Sequence, residues 1–170
     1  MIAALIGVDQ LTKYYAVELL RGAKDFAVIP GLLEFTYVEN YGAAFGMLQN
    51  KTLFFLLLTG MAMAAFVVFL FGYKKHTPLT YAICTLIIAG GLGNMIDRAL
   101  QSYVVDFIHV LFFPPVFNFA DCCAVIGTGL VFVYALFFMD KEKAAVSADK
   151  TAEEQAQEEQ AQLPVKEADE

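Results

Sequence analysis

Long apolar runs dominate the chain, and its polar positions gather at their ends. Residues Thr52 to Gly72 form 21 consecutive positions without a charge, and residues 79–96 and 122–139 form two further runs of 18. At 1.5 Å per residue, 18 helical residues reach roughly 27 Å, close to the thickness of a bilayer's hydrocarbon core. Each run therefore predicts a membrane-spanning helix. The opening segment, MIAALIGVDQLTKYYAVELL, is equally apolar but carries Asp9, Lys13 and Glu18. No basic residue precedes its apolar stretch and the charges fall within it, unlike a cleaved secretory leader, so it predicts a fourth span.

The expected fold class is an all-α membrane protein. Four transmembrane helices are predicted over about 2–20, 52–72, 79–97 and 119–139, with a small extracytoplasmic β element and a short interfacial helix. Four spans put both termini on one side, together with the YKKHTP link. Lys74, Lys75, Lys141 and Lys143 mark that side as cytoplasmic, because basic residues favour cytoplasmic loops. The connections over about 21–51 and 98–120 then face outward. In the first, AVIPGLLEFTYVEN mixes β-branched and aromatic residues and sets Leu33, Phe35 and Tyr37 on one face, which predicts a strand or hairpin. In the second, YVVDFIHVLFF is too short to span and too apolar for open water, so an interfacial turn or short helix is expected.

Composition supports this reading, with 59% hydrophobic and 17% charged residues. The net charge of −7 changes the picture only locally. Residues 140–170 hold ten acidic and four basic side chains, a net of −6, and no aromatic residue. This predicts residues 1–139 as the membrane domain and 140–170 as a disordered acidic cytoplasmic tail. Such a charge distribution offers nothing to a nucleic acid. Cys84, Cys122 and Cys123 lie in apolar runs without CxxC or Cys/His ligand spacing, so neither a disulfide framework nor a metal is expected.

The polar residues that remain converge on the outer membrane edge. Asp97 ends the third span, Asp121 begins the fourth and Asp106 lies in the link between them, with Asn94, Arg98 and Asn118 nearby in sequence. Polar groups at this depth are costly and therefore mark a functional site. Two neighbouring carboxylates cannot both ionise cheaply, so one keeps a proton while the other can activate water, which is aspartic-peptidase chemistry. Asp97 is followed by Arg98 and has the sequence of a salt-bridged helix end, whereas Asp106 has no Lys, Arg, Asp or Glu within seven positions. Asp106 with Asp121 is the favoured dyad, with Asp97 as the rival.

Structural roles compete for several of these residues. Asn118 is suited to cap the fourth span. Asp9 and Lys13, four apart, suit an internal ion pair. Gly90, Gly91 and Gly93 suit close helix packing. A His109–cysteine nucleophile lacks a group to orient the histidine, a transport path would need polar groups through the membrane depth, and a scaffold needs no paired carboxylates.

The motifs DQLTK (9–13), NYGAAFG (40–46), AGGLGNMIDR (89–98), VVDF (104–107) and FNFAD (117–121) occur in one order along the chain. Together they resemble lipoprotein signal peptidase, the bacterial type II signal peptidase family. The resemblance implies a multi-pass aspartic endopeptidase of the bacterial cell membrane, acting at the outer face. Such an enzyme removes signal peptides from prolipoproteins just before a diacylglyceryl-modified cysteine, and needs no cofactor. It implies Asp106 and Asp121 as the catalytic dyad, and Asn40, Asn94, Arg98 and Asn118 around substrate, supported by Asp9, Lys13 and Gly90. Asp97 becomes a structural partner. Lipid-modified prolipoproteins and membrane lipid are the expected partners of a monomer. The family pattern contains no acidic tail, often has more residues before the first motif than the eight preceding Asp9, and has a longer link than the one here containing Pro114 and Pro115.

Overall fold

Local chemistry sets the boundaries of the helices. The computed structural model describes residues 1–42, 51–72 and 77–137. Helix α1 runs Ile2–Leu20, α2 Thr52–Gly72, α3 Pro78–Gln101 and α4 Phe119–Phe137. Thr77 caps α3 by accepting the Thr80 backbone N–H at 3.2 Å, with Pro78 at the first helical position, where a missing N–H costs nothing. Asn118 and Asp121 form a reciprocal cap on α4: Asp121 N–H donates to Asn118 Oδ1 at 3.0 Å, and Asn118 N–H donates to Asp121 Oδ2 at 3.2 Å. By length and composition α3 and α4 are each long and apolar enough to cross a membrane. Residues 43–46 of the NYGAAFG motif, Lys74, Lys75 and His76 of the link, positions 138–139 of the fourth predicted span and the acidic tail lie outside the described residues.

The chain divides into two units, Met1–Leu130 and Val131–Glu170. All that concerns the polar cluster lies in the first. The described part of the second is the end of α4.

The β element is larger than the sequence predicts. Strands β1 (Phe26–Ile29), β2 (Leu33–Asn40), β3 (Val104–Val110) and β4 (Val116–Phe117) form one antiparallel sheet in the order β1-β2-β3-β4. Gly31, at φ 77°, supplies the left-handed residue of the β1–β2 turn. The expected interfacial helix in YVVDFIHVLFF is therefore corrected to strand β3, and the fold is mostly helical with a sheet rather than all-α. The segment is rich in β-branched and aromatic residues, and β2 offers it a partner. Val104, Val105, Asp106 and Phe107 are all buried, so both faces of the strand are covered and the usual alternation that reveals a strand is missing.

Strand β2 carries one residue more than β3 can match. Phe35 pairs with Ile108, but Val38 pairs with Asp106, and the register shifts between them. Such a bulge turns every later side chain to the opposite face. Asn40 thereby shares a face with Asp106, where the unbulged register would have placed Glu39.

Packing of the helices inverts the soluble pattern. The buried residues of α1 are Asp9, Lys13 and Ala16, one stripe at i, i+4 and i+7, while Leu11, Tyr15 and Leu19 are exposed. Lys13 Nζ lies 2.9 Å from each of Asp9 Oδ2, Asp97 Oδ2 and Asn94 Oδ1, so all three of its protons have acceptors. Asp9 Oδ1 accepts the Ala120 N–H at 2.9 Å, an otherwise orphaned donor in the first turn of α4. Asp97 Oδ2 accepts the Val105 N–H at 3.3 Å, one residue before Asp106. One cation thus fastens α1, α3, α4 and β3 together.

Glycines let the helices approach. A Cβ on Gly90 would lie 2.5 Å from the Ala120 carbonyl oxygen, and one on Gly93 would lie 2.5 Å from Asp9 Oδ2. Gly90 is a packing position at the α3–α4 crossing, and Gly93 leaves the hollow that the Asp9 carboxylate fills.

Unfolding in detergent tests these contacts. Lys13→Met leaves two buried carboxylates without their cation and should cost about 3–5 kcal/mol, a loss partly recovered by adding Asp97→Asn. Gly90→Ala should cost about 1–3 kcal/mol through overpacking. Gly60→Ala on α2, where a Cβ meets nothing within 4 Å, should be neutral or slightly stabilising.

Candidate active site

Three asparagine side chains bind the two candidate carboxylates from different elements. Asp106 projects from β3 and is 2% exposed. Its Oδ1 accepts Asn118 Nδ2 at 2.6 Å and its Oδ2 accepts Asn40 Nδ2 at 2.8 Å. Asp121 sits in the first turn of α4, fixed there by the reciprocal cap. Its Oδ1 accepts Asn94 Nδ2 at 2.7 Å from α3. Asn118 Nδ2 also donates to Asn94 Oδ1 at 3.1 Å, which closes the circuit between the two carboxylates. The cap and the sheet thus deliver the two aspartates to one place.

Amides make direct contacts to both members of the pair. Asn94 Oδ1 is held by Lys13 Nζ, so the lysine charge reaches Asp121 through an intervening amide. Burial first, and then the neighbouring Asp121 carboxylate, push Asp106 up to about 7 from an ordinary 3.8. The hydrogen bonds from Asn40 and Asn118 oppose that rise but do not cancel it. A carboxyl of this kind can hold a proton at neutral pH beside a charged partner, which is the pairing needed for general acid–base work.

The other predicted residues arrange themselves around this core. Asp97 is engaged by Lys13, by the Val105 N–H and by Gln10 Nε2 at 2.9 Å, which gives the former rival a structural position behind β3. Asp9 and Lys13 are buried in the same layer, at 1% and 3% exposure, so they support the pair from beneath. Arg98 Nη2 donates to the Gly42 carbonyl at 3.2 Å and Nη1 to the Asn94 carbonyl at 3.4 Å, tying the chain just after Asn40 to α3. Among the described residues no three His, Cys, Asp or Glu side chains are placed to hold a metal ion.

Gln10 is the residue that sequence reasoning leaves out. Its Nε2 lies within 3.3 Å of Asp9 Oδ2, the Gly93 carbonyl and Asp97 Oδ1, bridging the two carboxylates on either side of Lys13. Its place three positions before Lys13, on the same helical face, is the signal that points to it.

Comparison with known proteins matches this arrangement to one family. Residues 1–137 match the family model described as signal peptidase (SPase) II. The lipoprotein signal peptidase of Caldanaerobacter subterraneus subsp. tengcongensis is 41% identical over 138 residues, covering 81% of this chain and 94% of the relative. That of Clostridium acetobutylicum is 35% identical over 150 residues, covering 86% and 97%. Among solved structures, a bacterial membrane enzyme determined in meso at 1.9 Å resolution is similar at a TM-score of 0.72 and 35% identity, covering 81% of this chain and 90% of its own. The paired aspartates, the motifs that carry them and the match over nearly all of the described chain lead to one assignment: the protein belongs to the signal peptidase II family.

Proposed function

We propose that Asp106 and Asp121 are the catalytic dyad of this peptidase, which as a member of its family removes signal peptides from prolipoproteins by an aspartic-type mechanism. The observation that carries the assignment is the amide circuit, in which Asn40, Asn94 and Asn118 hold the two carboxylates together. In that setting the pair shares one proton. The charged member takes a proton from water as the water attacks the scissile carbonyl, and the protonated member gives its proton to the departing amine. Asn40, Asn94, Asn118 and Arg98 border the substrate, while Asp9, Lys13 and Asp97 maintain the geometry from below.

The cleaved bond immediately precedes a diacylglyceryl-modified cysteine. Acyl chains retained in the bilayer would hold that bond at the headgroup level and supply part of the orientation that catalysis requires. The four helices span the membrane, both termini are cytoplasmic, and the dyad lies at the outer face of a monomer. Residues 1–139 form the enzyme domain and 140–170 a cytoplasmic tail. The inverted packing of α1 supports this reading, since an exposed apolar face around a charged interior suits lipid rather than water. The basic residues at 74, 75, 141 and 143 support the orientation.

Cleavage of a lipidated precursor in detergent tests the dyad. Asp106→Asn and Asp121→Asn should each lose about 10²–10⁴-fold in kcat while keeping the wild-type unfolding temperature. Asp97→Asn should chiefly lower that temperature. Full activity in either of the first two would sink the assignment.

The pH profile gives a second test. Between about pH 4 and pH 7 native Asp106 keeps a proton that the unfolded chain has lost, so its contribution to stability falls as pH rises through that window. Activity should decline on an alkaline limb near pH 7 as the pair loses its shared proton. Asn40→Ala removes a bond that favours the charged form and should move that limb to higher pH. An unmoved limb would detach Asn40 from the titrating group.

A further inference from the structure

A groove of about 510 Å³ lies on the far side of β3 from the dyad. Successive strand residues face opposite ways, so Asp106 meets the asparagines while Phe107 turns into this groove. Phe35, which meets Phe107 edge-on at 6.0 Å between ring centres, and Leu20 help form its floor. Tyr15, Leu19 and Phe26 form its open walls, at 53%, 68% and 61% exposure.

The polar exceptions are Thr12 and Lys24. The Thr12 hydroxyl is engaged by α1's own carbonyls, those of Val8 and Asp9. Lys24 is exposed at the lining and, among the described residues, has no carboxylate within ion-pair distance, whereas nearby Arg21 is committed to Glu39 at 3.1 Å. The groove therefore joins an apolar trough of ligand-pocket size to one uncommitted cation. Along α1 it continues the exposed stripe of Leu11, Tyr15 and Leu19, which occupy one face at i, i+4 and i+8.

We infer that this groove is a binding site for an anionic phospholipid of the surrounding bilayer, with an acyl chain laid against Phe107 and Phe35 and the headgroup phosphate on Lys24. The inference rests on the spanning reading of α1, and its site is separate from the dyad. Its occupant would pack behind the strand that carries Asp106 and steady it from the side opposite the asparagines. Charge selects the lipid class, because a zwitterionic headgroup cannot neutralise the lysine without bringing a second cation beside it.

The chain contains no tryptophan, so a single introduced indole reports its own surroundings. Full-length protein carrying Phe26→Trp is reconstituted in phosphatidylcholine nanodiscs with a small fraction of dibrominated-chain phosphatidylglycerol or, separately, dibrominated-chain phosphatidylcholine. Bromine quenches fluorescence on contact. The phosphatidylglycerol should bind the site about fivefold more tightly than the phosphatidylcholine, the gain expected from one lysine at an anionic headgroup. Adding Lys24→Gln should abolish that preference.

Leu57→Trp on the exposed face of α2 serves as the reference and should be quenched equally by both lipids. Equal quenching at position 26, or a preference that survives Lys24→Gln, would mean ordinary bilayer contact and overturn the site. Protection of position 26 from both lipids would mean that a second copy or another protein covers the groove, and would overturn it as well. Failure of both lipids to quench at position 57 would overturn the membrane-spanning reading itself. None of these readouts requires catalysis, so loss of the dyad assignment would leave them unchanged.

Discussion

One buried ammonium sets the geometry on which the rest depends. Lys13 spends its three protons on Asp9, Asp97 and Asn94, and each acceptor then holds a further group in place. Asp9 holds the first turn of α4, Asp97 holds the start of β3, and Asn94 holds Asp121. The charge is fully surrounded, which is the condition for a buried ion pair to specify a structure rather than merely burden it. Because the helices are apolar outside, water offers little to drive them together, and this directional polar interior supplies the register that a hydrophobic core would set in a soluble protein.

Neutral amides then protect the chemistry from that same charge. A lysine or arginine placed directly on Asp106 would favour its ionised form and remove the proton that the proposed dyad would share. Asn40 and Asn118 hold the carboxylate by hydrogen bonds that fix its direction while leaving burial and the neighbouring aspartate dominant. The polar interior thus has two layers, one ionic and structural, the other amide-lined and poised for proton transfer.

The sequence makes three of the helices legible because 18 to 21 uncharged residues admit few other structures, and the helices that start at Thr52, Pro78 and Phe119 overlie those runs. The sheet is less legible. Strand β3 is covered on both faces, so it lacks the period-two alternation that reveals β2, and its apolar density resembles that of an interfacial helix. Asp106, Asp121 and Asn118 can be associated because they stand within 16 consecutive residues between two long apolar runs. Asn40 cannot be assigned to Asp106 from spacing, since the extra residue in β2 decides its face and has no sequence signature. Gln10, and the Asp9 carboxylate that Gly93 makes room for, escape for another reason: only the packed helices reveal which neighbour each residue meets.

That extra residue makes strand β2 a counting device. Between Phe35 and Asn40 the chain takes five steps against four on β3, and the bulge absorbs the difference. Removing one residue there would take away the bulge and leave Asn40 opposite Val104, whereas removing two would slip the register and exchange an amide for the carboxylate of Glu39. A third acid would then stand beside Asp106 and Asp121. The strand's residue number is thus fixed by the pairing itself, because each added residue needs a further bulge to keep Asn40 opposite Val104.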